Sequence, residues 1–143
     1  MDENELWCII FVSIVSKETS PEMLKDFVET KRAERISYNR TGLTIFSDGN
    51  LLVLIEGSKE SVQRGFQNAQ INGRYHSPIK LYDGPLSQRF FENQPLALKI
   101  LKPELYKHLD DFKTDEMQEY FNDFASSKHI IPTIVSNFLK NNA

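Results

Sequence analysis

Cysteine is almost missing from this chain: Cys8 is the only one in 143 residues. It stands inside an apolar run, so no intrachain disulfide can form, and a reducing compartment is expected. Histidine is scarce too. His76, His108 and His129 are scattered, with no cysteine or carboxylate at ligand spacing, so no metal centre is expected and each reads as a surface histidine. Positive charge is not in excess. A net charge of −3 without a basic block removes the usual grip on phosphate backbones and argues against nucleic acid as a partner. No long hydrophobic run occurs. Leu6–Val15 falls well short of the roughly 20 residues a membrane-spanning helix needs. The acidic opening Met1-Asp2-Glu3-Asn4-Glu5 lacks the basic start and small-residue cleavage site of a secretory signal. A soluble, cytoplasmic protein is the expectation. P-loop and dinucleotide glycine fingerprints are also missing, and Ser13 has no G-x-S-x-G context.

What is present is a globular composition, 40% hydrophobic and 26% charged, enough to build one real core. The chain is organised around Thr41–Gly57. Ser47-Asp48-Gly49-Asn50 separates two apolar runs, and Asp-Gly in that setting signals a tight hairpin. Leu51–Ile55 is apolar on both faces, as a central, doubly covered strand should be. Before the hairpin, Leu6–Val12 reads as a buried strand. Ser20-Pro21 starts a helix that carries Leu24, Phe27 and Val28 at helical spacing and fades near Arg32–Ile36. Lys31, Arg32 and Arg35 suit its C-terminal dipole. After the hairpin, Glu56-Gly57-Ser58 opens a second helix, with Val62, Phe66 and Ala69 in one stripe and Asn72-Gly73 closing it.

Beyond that helix the expectations are a loop at Arg74–Pro78, a short strand Ile79–Tyr82, and a break at Asp83-Gly84-Pro85. Leu86–Phe91 reads as another extended piece and Leu96–Leu101 as a further strand. The order β-α-β-β-α-β is a ferredoxin-like α+β pattern, a mixed sheet with two helices on one face. From Pro103 the character turns helical, with candidates at Glu104–Phe112, after a Thr114 cap with Met117, Tyr120, Phe121 and Phe124 on one face, and at Ile130–Leu139. This divides the chain into a 1–102 domain and a 103–143 helical extension. The apolar stripes of the extension need a partner, either the open face of the sheet or a second subunit.

Chemistry-bearing residues are few. Asp110-Asp111 and Asp115-Glu116 read as solvated helix ends. Arg74, after the helix-closing Gly73, is placed to meet an anion as well as to stand on the surface. Tyr38-Asn39-Arg40-Thr41-Gly42 is a polar cluster that either lines the mouth of a cleft or simply makes a turn.

The ordered set of these features resembles the BLUF domain, the flavin-binding blue-light sensor module, from about Leu6 to Leu98. The resemblance rests on Phe11-Val12-Ser13 ending the first strand, Thr41-Gly42-Leu43, the Asp48-Gly49 turn, Leu54-Ile55-Glu56-Gly57, Val62, Gly73-Arg74-Tyr75-His76, and Arg89-x-Phe91. It implies FAD lying between the two helices. It also implies a photocycle run by a strand-one Tyr and a strand-three Gln, with an Asn pair on the first helix at the ring edge. The matching positions here are Phe11, Val53, Glu34 and Arg35; Arg74 matches an Arg near the ribityl-phosphate side, and the late Trp/Met segment falls at Gln94-Pro95-Leu96. Phe has no phenolic O–H, and Val neither donates nor accepts. Phe11 and Val53 are expected to pack as apolar neighbours and the usual photocycle to be absent. Arg74 and apolar walls leave flavin binding open.

The first reading is therefore a non-enzymatic sensory or regulatory domain acting through a protein partner, as a homo-oligomer. A working flavin photosensor using other residues is the alternative. A small acylphosphatase-like hydrolase is the third, and the Arg-plus-Asn geometry it needs is not evident in the sequence.

Overall fold

The structure is a computed structural model that describes residues 5–15, 20–71, 76–106, 109, 113–117 and 129–142. Its elements are β1 (Leu6–Ile14), α1 (Pro21–Ser37), β2 (Thr41–Ser47), β3 (Asn50–Ser58), α2 (Lys59–Ile71), β4 (His76–Pro85), β5 (Ala97–Ile100), a 3-10 turn (Pro103–Tyr106) and α3 (Ile130–Asn142). The sheet order is β4-β1-β3-β2-β5. β1 lies antiparallel to both β3 and β4, β2 antiparallel to β3, and β5 parallel to β2. This is the expected ferredoxin-like arrangement with a fifth strand added.

Local chemistry explains each element. Ser20 accepts from the Met23 N–H at 3.2 Å and Pro21 opens α1, so the cap and the pre-set φ act together. Asp48 (φ 46°) and Gly49 (φ 88°) both take positive φ, the requirement of a hairpin turn whose twist matches its strands. β3 runs on to Ser58, whose hydroxyl accepts from the Ser61 N–H and caps α2; Glu56-Gly57 is therefore strand, not helix start.

The side chains sort by strand alternation into two cores. Ile9, Phe11, Leu51, Val53 and Ile55 point to the layer that holds Leu24 and Val28 of α1 and Val62, Phe66 and Ala69 of α2. Cys8, Ile10, Leu43, Ile45, Leu52 and Leu54 point the other way, where Ile131 and Val135 of α3 are fully buried against them. α3 thus covers the face that α1 and α2 leave open, and it does so within the same chain.

Several expectations are corrected. His76-Ser77-Pro78 and Asp83-Gly84-Pro85 belong to β4 rather than to a loop and a break. β4 is an edge strand paired only with β1, so both prolines can sit where no ladder donor is needed. Leu86–Phe91 is not a strand: its residues turn back under β3. Thr114 is not a helix cap. Its carbonyl accepts from Ile100 N at 2.7 Å and Glu116 N donates to Leu98 O at 2.6 Å, so Thr114–Glu116 runs extended along β5. Of the Glu104–Phe112 helix only the 3-10 turn falls inside the described residues. Asn72-Gly73, Arg74, His108, Asp110-Asp111, Tyr120, Phe121 and Phe124 lie outside them.

Candidate functional site

The two strand positions singled out in the sequence come together. Phe11 and Val53 are register partners across β1 and β3, and both are buried. The Phe11 ring meets Phe66 of α2 edge-on, 5.2 Å between centroids at 61°, a favoured aromatic geometry. The helix-one pair behaves differently. Glu34 is about a third exposed and turns to Lys31 at 3.4 Å and Arg40 at 3.6 Å. Arg35 is buried and its Nη1 donates to the Pro95 carbonyl at 3.0 Å. One turn back, Arg32 Nε donates to Leu96 O at 3.1 Å. Arg32 and Arg35, read as dipole partners, are thus clamps that hold Pro95-Leu96 against α1. Gly42 completes that clamp: its N–H donates to Gln94 O at 3.1 Å, and at φ 152° an added Cβ would lie 1.9 Å from Leu54 O, so only glycine fits.

Within the polar cluster Tyr38–Gly42, Arg40 acts as a strut between the helices. Arg40 is 3% exposed. Its Nε and Nη2 donate to Ser61 Oγ (3.0 Å) and Ser61 O (2.8 Å), and its guanidinium rests on Gly65 and over the Tyr38 ring. Burial lowers the Arg40 pKa, and the Glu34 carboxylate opposes that shift.

Sequence reasoning missed Glu56, a carboxylate with no exposure in the second core. It accepts from Thr41 Oγ1 (2.8 Å), Phe90 N (2.6 Å) and Phe91 N (3.1 Å). Arg89 supports the group by donating to Thr41 Oγ1 at 2.9 Å and Asn39 O at 3.0 Å. Burial pushes the Glu56 carboxyl above its ordinary range, while the N–H donors and the Thr41 hydroxyl pull it back. One signal was available: a charge inside a strand whose other inward residues are all apolar.

Residues 6–97 match the family model of BLUF, sensors of blue-light using FAD. The chain belongs to the BLUF family. Its fold is shared with Klebsiella pneumoniae BlrP1 in a calcium and cyclic diGMP complex (TM-score 0.72, 20% identity), covering 94% of this chain and 34% of that one. It is shared also with BlrB, a BLUF protein in its dark state (TM-score 0.64, 16% identity, 85% of this chain and 98% of that one). BlsA in its photo-activated state aligns as well (TM-score 0.64, 12% identity, 87% and 97%). This chain spans about a third of the length of the BlrP1 chain. A search of curated proteins gave no match.

The residues of this BLUF domain do not fit a flavin held by a strand Tyr and Gln. Phe11 and Val53, the positions that the family resemblance assigns to the ring edge, are buried hydrocarbon and supply neither donor nor acceptor. Among the described residues no buried side-chain nitrogen or oxygen lacks a partner, so none is left waiting for a ring edge. Arg35 and Arg40 are committed to Pro95 and Ser61. Arg74 falls outside the described residues. No described helix of this BLUF domain is long and apolar enough to cross a membrane.

Proposed function

We propose that this BLUF-family domain is a sensory or regulatory module without the family's usual photocycle. It acts through protein contacts, as a homo-oligomer in the cytoplasm, and not as an enzyme. The observation that carries the reading is the Phe11–Val53 pair. The two positions that would run the hydrogen-bond switch face each other across β1 and β3, and both are packed hydrocarbon. A buried flavin edge placed there would leave polar atoms unpaired, at a cost of about 1–3 kcal/mol each. The contact role is supported by Ile14 and Ile79, both exposed, on the paired strands β1 and β4, since exposed apolar groups near one another favour association.

The test is the absorbance spectrum of the purified protein, before and after added FAD and blue light. A colourless protein indifferent to FAD is expected. A yellow protein with no spectral shift keeps the cofactor without the photocycle and agrees with the reading. A yellow protein with a reversible red shift overturns it in favour of a photoreceptor built on other residues.

A further inference from the structure

α3 is the apolar cover of its sheet face, yet among the described residues its polar ties to the sheet lie only at its two ends. At the C-terminal end Ser47 Oγ donates to the Asn142 carbonyl and Asn50 Nδ2 to the Asn142 amide oxygen, each at 3.2 Å. At the other end the tie is His129, half-buried and one residue ahead of the helix. Its ring stands edge-on to Tyr82 of β4, 5.4 Å between centroids, and to Phe90, 6.2 Å. The hydrogen bonds through this ring have one consistent direction. The Ile131 N–H can only donate, and it points at Nδ1 from 3.2 Å. The Pro85 carbonyl can only accept, and it takes the Tyr82 hydroxyl proton at 3.1 Å. Nδ1 is therefore an acceptor without a proton, and the ring proton sits on Nε2, which donates to Tyr82 Oη at 3.3 Å. The neutral ring does what a Ser or Asp side chain does at other helix starts: it accepts from an N–H that has no partner within the helix.

We propose that His129 is a proton-operated latch on α3. Neutral, it pins the start of the helix to β4; on taking a proton from solvent at Nδ1, it loses the cap and the helix start comes away from the sheet. A second ring proton has no other place to go, and at Nδ1 it meets the Ile131 N–H and the positive end of the helix dipole. Histidine is the side chain whose charge changes near neutral pH, so the device works in an ordinary range. The charged and titratable groups around it do not take over the cap. On β4, Tyr82 is spent on Pro85, and Asp83 accepts from Trp7 and Lys80. On β3, Glu56 accepts from the N–H groups of Phe90 and Phe91 and from Thr41. Arg89, next to Phe90, donates to Thr41 and Asn39. Cys8 of β1 is a thiol that burial keeps protonated. Release bares the apolar surface that Ile131 and Val135 share with Ile10, Leu52 and Leu54. The latch lies on the α3 face of the sheet, so it goes beyond the photocycle reading and does not rest on it.

The test uses the full-length, isotope-labelled protein. Long-range proton–nitrogen spectra of the imidazole rings, with His129 assigned by its loss in His129→Asn, should show the Nε2–H tautomer at about pH 7.5. Hydrogen exchange, corrected for intrinsic rates, should show the Ile134 and Val135 amides losing protection as the pH falls to about 5.5. With one proton taken up, the loss is at most about tenfold per pH unit. The Leu52 and Leu54 amides should keep their protection. Asn supplies a capping acceptor that does not titrate, so in His129→Asn the pH dependence of α3 should vanish. An Nδ1–H tautomer or an imidazolium at the higher pH overturns the proposal. So does α3 protection that ignores pH, falls together with that of Leu52 and Leu54, or keeps its pH dependence in the variant. None of these outcomes depends on flavin colour, so the two readings fail separately.

Discussion

The two faces of the sheet treat polarity in opposite ways. On the face under α1 and α2, positions 11 and 53 hold Phe and Val, which need no partner and pack on each other and on Phe66. On the face under α3, β3 keeps a fully buried carboxylate, Glu56, and surrounds it with Thr41, Phe90 N and Phe91 N. Both solutions leave no buried side-chain nitrogen or oxygen orphaned among the described residues. One removes the groups that would need satisfying; the other satisfies the group it keeps. A hydrocarbon face should therefore fail through voids, and a networked face through single lost donors or acceptors.

The largest effect is expected on the hydrocarbon face. Phe11→Ala removes a buried ring that the neighbouring strands cannot close over, at about 3–5 kcal/mol; urea unfolding would show it as a large drop in midpoint. Glu56→Gln tests the other face. The amide keeps the volume but turns an N–H₂ toward a backbone N–H or the Thr41 hydroxyl, so a loss of about 1–3 kcal/mol is expected. The pH profile sharpens the contrast. Glu56 titrates higher folded than its ordinary 4.5, chiefly through burial. Its contribution to stability is therefore full below 4.5 and is lost as pH rises through the raised folded value. Wild-type stability should decline across that window, and the decline attributable to this group should vanish in Glu56→Gln. An unchanged slope in the variant would show that another group governs the profile.

Returning polar groups to the hydrocarbon face is a subtler break. Val53→Gln alone buries an amide opposite Phe11, and should cost about 1–2 kcal/mol. Phe11→Tyr alone should cost less than that if the hydroxyl reaches solvent through the helix seam, and a similar amount if it does not. Because the two positions are register partners, the double variant should cost less than the sum. A double-mutant cycle measures that coupling. Strict additivity would mean that the two side chains do not meet.

How much of this was legible in the sequence follows the range of the forces involved. The Asp48-Gly49 turn, the Ser20-Pro21 start and the Val62–Phe66–Ala69 stripe are local rules, and the structure follows them. The Phe11–Val53 pairing was legible through family resemblance, which aligned both positions, and the antiparallel register of β1 on β3 then set them face to face. β4 was misread because His76-Ser77-Pro78 and Asp83-Gly84-Pro85 carry turn residues, which an edge strand tolerates and a central one does not. Thr114-Asp115-Glu116 carries a helix-start signature, but β5 offers its backbone first. Glu56 and Arg35 were missed as structural polar groups because their partners lie far along the chain, at Phe90, Phe91 and Pro95. No local pattern encodes a partner that distant.

The smallest effect sets the lower limit of the comparison, and two consecutive carboxylates provide it. Glu116 is partly buried; it pairs with Arg32 and accepts from Leu98 N at 3.0 Å. Asp115 is more exposed and meets Lys99 at 2.8 Å on the surface. Arg32→Ala also strips the Leu96 carbonyl of its donor, so a loss of about 1–2 kcal/mol is expected. Lys99→Ala breaks a solvated pair that water and salt already weaken, so its cost should stay under about 1 kcal/mol and shrink further as salt is added. Equal losses from the two substitutions would mean that burial does not separate these neighbours, and that the distinction drawn between networked and solvated polar groups fails at this edge of the sheet.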